Sequence, residues 1–265
     1  LASRANDGRS TAVSYTPGTA PGNFRGMNPI GNFNRFVKPF ALTSLAQFRT
    51  PAPPALDSAA YAADFNETKA FGATTSSVRT ATQEEAARFH TEAPPRFISR
   101  NLRAFAMADR SVAYNARLMA AIWVAQADGG NACFESKYFY ERWRPTSAIT
   151  LADTDGNANT TVDATWTPVV ATPNHPEYPA AHACTAGALA AVLREFFGTN
   201  QISYSFSSTV TSSVHAFNTP DDMVTEMQVA RIYGGMHFRT SNVQGGVLAT
   251  KVGEWVARNY FRPRD

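Results

Sequence analysis

The chain has 265 residues, enough for one large domain, or two small ones, with a substantial buried core. Its 24 Lys and Arg against 21 Asp and Glu give a formal net charge of +3, with no basic run to mark a nucleic-acid face, so the positive charges belong to local pockets and nucleic acid is not an expected partner. No stretch approaches the ~18–20 apolar residues of a membrane span, and the first residues lack a signal-peptide core.

Residues 1–58 are rich in Gly, Pro, Asn and Ser, with Pro51, Pro53 and Pro54 near the end. They read as a long irregular arm, which Phe33, Phe36, Phe40 and Phe48 should hold against a folded body spanning 59–265. In the body, Ala59 to Phe71 carries a helical pattern, and Thr82 with Glu85 three residues on predicts a second helix opened by a capping box. From Asn101 to Asp128, Leu102, Phe105, Val112, Leu118, Met119, Ile122 and Trp123 recur at spacings near three and four, an amphipathic stripe that Gly129-Gly130 should end. Cys133 to Trp143 predicts a further helix halted by Pro145. Residues 151–174 are polar and contain Gly and Pro, the composition of a long loop. Helices are then predicted over Ala181–Phe197, with Gly198 as the stop, and from about Asp221 to Ile232 and Ser241 to Tyr260. Strand signals are short and sparse. The fold class is mainly α, a helical bundle.

Three basic clusters stand in a fixed order: Lys137 with Arg144-Pro145, then Pro179-Ala180-Ala181-His182, then Arg231 with His237. Together they describe a pocket for a tetrahedral oxyanion, because fixed Arg and Lys heads and a helix N-terminus supply donors from several directions while offsetting charge. Lys137 and Arg144 are seven apart, two helical turns, which would point both heads from one face. His182 opens its helix after a Pro-containing turn, so the free first-turn N–H groups can face the anion. Arg231 and His237 are six apart, and Gly234-Gly235 between them can end the helix and let both converge. Histidine adds what an anion trap lacks, a group that can bond to the central atom or move protons near neutral pH.

The blocks KYFYERWRP (Lys137 to Pro145), HPEYPAAHAC (His175 to Cys184) and ARIYGGMHFR (Ala230 to Arg239) resemble the vanadium-dependent haloperoxidase and type 2 phosphatidic acid phosphatase superfamily, in its haloperoxidase branch. The resemblance covers roughly residues 95–262 and implies that superfamily's helical bundle. It implies vanadate as cofactor, with phosphate able to occupy the same pocket. His237 would be the vanadium ligand, Lys137, Arg144, the Ala181 main chain and Arg231 would hold its oxygens, and His182 and Lys137 would serve in catalysis with His237. Hydrogen peroxide, a halide and a small organic acceptor would be the reactants, and a second copy of the chain in a homo-oligomer would be a further partner. The phosphatase alternative would use His237 as a phosphorylated nucleophile and His182 as the acid for the leaving oxygen. A third alternative is a repurposed anion-binding relative. Where the family has Pro-Ser-Gly-His this chain has Ala180-Ala181, so a hydroxyl donor is lost, and where the phosphatases have an Asp that steadies the histidine it has Ser241. Leu1 to Gly8 resembles the middle of longer relatives, which would make the chain a C-terminal portion whose N-terminal half is a separate chain or removed.

The remaining residues carry weaker signals. Cys133 and Cys184 are too few for a disulfide framework and read as buried free thiols. Asn66-Glu67-Thr68 and Asn159-Thr160-Thr161 are glycosylation sequons that matter only after secretion; a secreted or periplasmic location is favoured. Asp153-x-Asp155-Gly156-Asn157 reads as a turn, because its Gly and the missing twelfth-place Glu do not fit a calcium loop. His175 and Glu177 lie beside the site block as entrance or plain loop residues, Glu226 could buttress the site or be exposed, and His90 and His215 have no partner pattern.

Overall fold

A computed structural model describes residues 1–262, so the last three positions of the expected body lie outside the described residues. Helices dominate: α1 (Ala59–Gly72), α2 (Ala81–Phe89), α3 (Pro94–Asn101), α4 (Val112–Tyr140), α5 (Pro145–Thr150), α6 (Ala181–Phe197), α7 (Pro220–Tyr233) and α8 (Arg239–Tyr260). A small antiparallel hairpin, β1 (Tyr204–Ser207) and β2 (Val214–Phe217), pairs Tyr204 with Phe217 and links α6 to α7. Among the described residues no helix is long and apolar enough to cross a membrane.

The core lies where α4, α6 and α8 pack, with α7 against α6. Nearly every position of α6 from Ala183 to Leu193 is buried, as a helix apolar on all sides requires. Its small residues let α8 approach backbone to backbone. A Cβ on Gly187 would stand 2.5 Å from the Gly246 carbonyl oxygen, and one on Gly253 would stand 2.8 Å from that of Ala188. Gly187→Ala is therefore expected to lower the unfolding free energy by about 1–3 kcal/mol through overpacking, read as a lower urea midpoint; an unchanged midpoint would show that the helices can part freely.

Several boundaries differ from the sequence reading. Gly129-Gly130 does not end a helix: α4 runs through both for 29 residues. Gly129 faces Ala188 of α6 and Ala249 of α8, so tertiary packing outweighs the intrinsic helix cost of glycine, ~1 kcal/mol. The stripe from Asn101 is instead divided. Residues 102–105 form a 3₁₀ turn, and α4 starts after Ser111, whose hydroxyl accepts from the Tyr114 N–H. The capping box of α2 uses Thr80 and Gln83, not Thr82 and Glu85. Pro145 does not halt a helix but begins α5, where its missing N–H costs nothing.

Residues 1–58 hold two 3₁₀ turns and otherwise run irregularly along α4 and the 141–143 segment. The buried Asp128 carboxylate accepts from the main-chain N–H groups of Phe40, Ala41 and Leu42 at 2.7–3.0 Å. Gly22 O accepts from Trp143 N–H, and the Tyr140 and Tyr178 hydroxyls donate to Thr50 O and Pro51 O. Asp155 and Asn157 form successive Asx turns, with Gly156 at φ +74°. Cys133 and Cys184 are both free and buried.

Candidate functional site: a buried cluster of cations and histidines

Five elements contribute. Lys137 lies in the last turn of α4, and Glu141, at φ +47°, then turns the chain so that Arg144 becomes the N-cap of α5. The two heads therefore do not share a helix face, as their spacing suggested. They converge because both grip one loop: Lys137 Nζ donates to Pro176 O (2.8 Å) and Glu177 O (3.0 Å), and Arg144 Nε donates to His175 O (2.8 Å). His182 sits in the first turn of α6 and Arg231 in the last turn of α7. Gly234 caps α7 and Gly235, at φ +74°, redirects the chain so that His237 turns back inward, as the glycine pair predicts.

Arg144 is the hub. Its Nη1 donates to Met236 O (2.9 Å) and faces His237 Nε2 (3.0 Å), while Nη2 faces His175 Nδ1 (2.9 Å). A guanidinium can only donate, so His237 accepts at Nε2 and keeps its proton on Nδ1. That Nδ1–H donates to Glu177 Oε1 at 2.9 Å, and the same oxygen accepts the Phe238 N–H at 3.1 Å. Ser241 Oγ, which the sequence placed behind this histidine, is 3.4 Å from Nδ1 and donates to Glu177 O. The histidine is thus backed by a carboxylate, Glu177, from a segment whose sequence predicts only an entrance or plain loop. The signal was only proximity, because no fixed spacing links Glu177 to His237, 60 residues on.

Lys137, Arg144 and Arg231 are 0, 2 and 1% exposed, and among the described residues none of them forms an ion pair. Burial lowers the Lys137 ammonium to about 8, the Arg144 guanidinium to about 10 and that of Arg231 to about 9. Glu177 is the buried carboxylate beside them, and burial raises it to about 7 against the pull of Lys137 and Arg144. His175, His182 and His237 are all held well below the usual imidazole range, by burial first and then by the neighbouring cations. Arg231 Nη1 donates to His90 O (2.8 Å), but its Nε and the Nε2 of His182 are buried without a partner among the described residues.

An excess of buried positive charge, orphaned polar nitrogens and the first-turn N–H groups of α6 are chemically complementary to a multiply charged anion. The Ala181 N–H stands at the start of that turn, whereas the Ala180 N–H already donates to Ser241 O at 3.0 Å. The structure therefore brings together Lys137, Arg144, Arg231, His237 and His182, and it adds Glu177 and His175. Glu226 does not buttress this cluster by direct contact; it joins His90 and His215 instead.

The pH dependence of stability follows from these shifts. His90, His175, His182 and His237 have depressed folded-state values, so below about 6.5 the unfolded chain binds protons that the folded chain refuses. Glu177, raised to about 7, works in the opposite sense between its unfolded value of 4.5 and 7. Four histidines against one carboxylate leave a net of up to three protons, each worth up to ~1.4 kcal/mol per pH unit. The melting temperature without added anion is expected to fall as pH is lowered from 7 to 5. A flat or rising profile in calorimetry would mean that the imidazoles protonate in place.

Residues 117–264 match a family model described as the VCPO second helical-bundle domain. Among solved structures, the first bacterial vanadium-dependent iodoperoxidase is similar with a TM-score of 0.78 and 24% identity, over 94% of this chain and 62% of that one. A bacterial vanadium-dependent chloroperoxidase in its apo form gives a TM-score of 0.79 at 16% identity, over 97% and 70%; its holo form gives 0.76 at 15%, over 97% and 69%. The chain thus spans less than two thirds of the iodoperoxidase's length. No curated protein sequence matches it.

Proposed function

The chain belongs to the vanadium-dependent haloperoxidase family through its second helical-bundle domain, and on that premise we propose that it is a haloperoxidase-type enzyme that uses vanadate and hydrogen peroxide to oxidise a halide. The observation that carries this reading is the pairing of three buried, ion-unpaired cations with His237, whose Nε2 lone pair faces inward while Glu177 fixes its Nδ1–H. When bound, vanadate supplies Lewis acidity that activates peroxide toward the halide.

His237 would hold the group through Nε2, which requires Arg144 to give up its contact there. The Glu177 carboxylate keeps the ring in the Nδ1–H tautomer and raises its basicity. Lys137, Arg144 and Arg231 would compensate oxyanion charge, and the Ala181 N–H would donate from the main chain. His182, neutral near pH 7 with no partner for its Nε2 among the described residues, would take and return a proton. Hypohalous acid would leave to halogenate a small organic acceptor.

The Glu177–His237 pair also supports a second reading, since a carboxylate-backed histidine is equally suited to attack phosphorus. Halide oxidation in a chelator-stripped sample, before and after orthovanadate, separates the two when phosphate monoester hydrolysis is assayed alongside. Vanadate-restored iodide or bromide oxidation that phosphate suppresses is the expected result. Monoester hydrolysis without halide oxidation would replace it with the phosphatase reading, and silence in both would leave an anion-binding relative.

A further inference from the structure

A second set of histidines gathers outside the anion cluster, where α2, β2 and α7 meet. His90 caps the end of α2, His215 lies on β2 and Glu226 lies midway along α7. His90 Nε2 and His215 Nδ1 stand 2.8 and 2.7 Å from the same oxygen, Glu226 Oε1, and one ligand atom from each of these residues falls within 4.8 Å of the others. The far nitrogen of His215 faces Glu85 Oε2 at 2.8 Å, and its ring stacks on Phe89 with centroids 3.7 Å apart. His90 is 2% exposed, and its Nδ1 is buried without a partner among the described residues. Nothing in the proposed reaction uses these side chains.

We propose that His90, His215 and Glu226 form a binding site for a divalent transition metal of the zinc class. Two imidazoles and one carboxylate are a donor set for zinc and its neighbours rather than for calcium or magnesium, which take oxygen ligands. Glu85 fits the outer position: a carboxylate that accepts the far N–H of a ligating histidine fixes the tautomer and aims the lone pair. The geometry needs little change. Around a tetrahedral ion with bonds of ~2.0–2.1 Å, ligand atoms lie ~3.4 Å apart, so each imidazole would move about 0.6–0.7 Å from Glu226 Oε1. The side chains of His215 and Glu226 are 16 and 30% exposed, which puts them at the rim and leaves a side where water can complete the shell. The site also touches the anion cluster through one bond: His90 O accepts from Arg231 Nη1 at 2.8 Å, so a metal on His90 would fix the chain that positions that guanidinium.

The test is a titration of the chelator-treated full chain with Zn²⁺ by calorimetry and with Co²⁺ by visible absorption. One equivalent of tight binding is expected, with the intense d–d bands of a low-symmetry four-coordinate Co²⁺ site. His215→Ala and Glu226→Gln are expected to lose it, and Glu85→Gln, conservative and near the surface, to weaken it by about 10–100-fold. His237→Ala should bind the metal undiminished, which separates this site from the anion pocket. Absence of stoichiometric binding by the wild-type chain, retention in both ligand variants, or loss in His237→Ala would overturn the proposal.

Discussion

Glu177→Gln is expected to weaken orthovanadate binding by about 10–100-fold while changing the stability of the anion-free protein little at pH 6. The two halves of this expectation have one cause. Glu177 is raised to about 7, so at pH 6 it is largely protonated and Gln imitates it closely. Once an oxyanion and a coordinated His237 occupy the cluster, the carboxylate is needed in its charged form, because it accepts the Nδ1–H and raises the basicity of Nε2. Its repulsion of the anion is the opposing effect. It acts from the far side of the imidazole and is offset by Lys137 and Arg144, which already pull on Glu177. Titration calorimetry with a thermal melt at pH 6 checks both halves, and wild-type affinity in the variant would remove Glu177 from the site.

Arg144→Lys is the second large effect. The substitution keeps a positive charge but removes the planar fork, which holds His175 O, Met236 O, His237 Nε2 and His175 Nδ1 from three nitrogens at once. A lysine ammonium reaches some of these acceptors and leaves others buried and unsatisfied, each at ~1–3 kcal/mol. A loss on the order of 3 kcal/mol in unfolding free energy is expected, with at least tenfold weaker orthovanadate binding. Urea unfolding indistinguishable from wild type would show that the loop at 175–177 does not depend on the guanidinium.

Helices α6, α7 and α8 and the order of the site blocks were legible because they rest on local chemistry. Gly198 stops α6 in a left-handed conformation, and Gly234-Gly235 turns the chain between Arg231 and His237. What the sequence hid was decided by distant partners. Gly129 lies inside α4 because α6 and α8 press on it, which no window of neighbouring residues reveals. Lys137 and Arg144 meet through carbonyls of residues 175–177, not through helical period. Glu177 backs His237 from 60 positions away, and His90, His215 and Glu226 belong to three elements that only the fold assembles. Side chains whose role is set by a long-range contact leave no periodic mark, and here they include the carboxylate behind the central histidine.

The most direct measurement is a calorimetric titration of orthovanadate into the wild-type chain and His237→Ala, each repeated with inorganic phosphate present. Single-site binding by the wild type, competed by phosphate and lost in His237→Ala, is the predicted result. Failure of the wild type to bind, or equal binding by the variant, would contradict the assignment of this buried cluster as an oxyanion site built on His237.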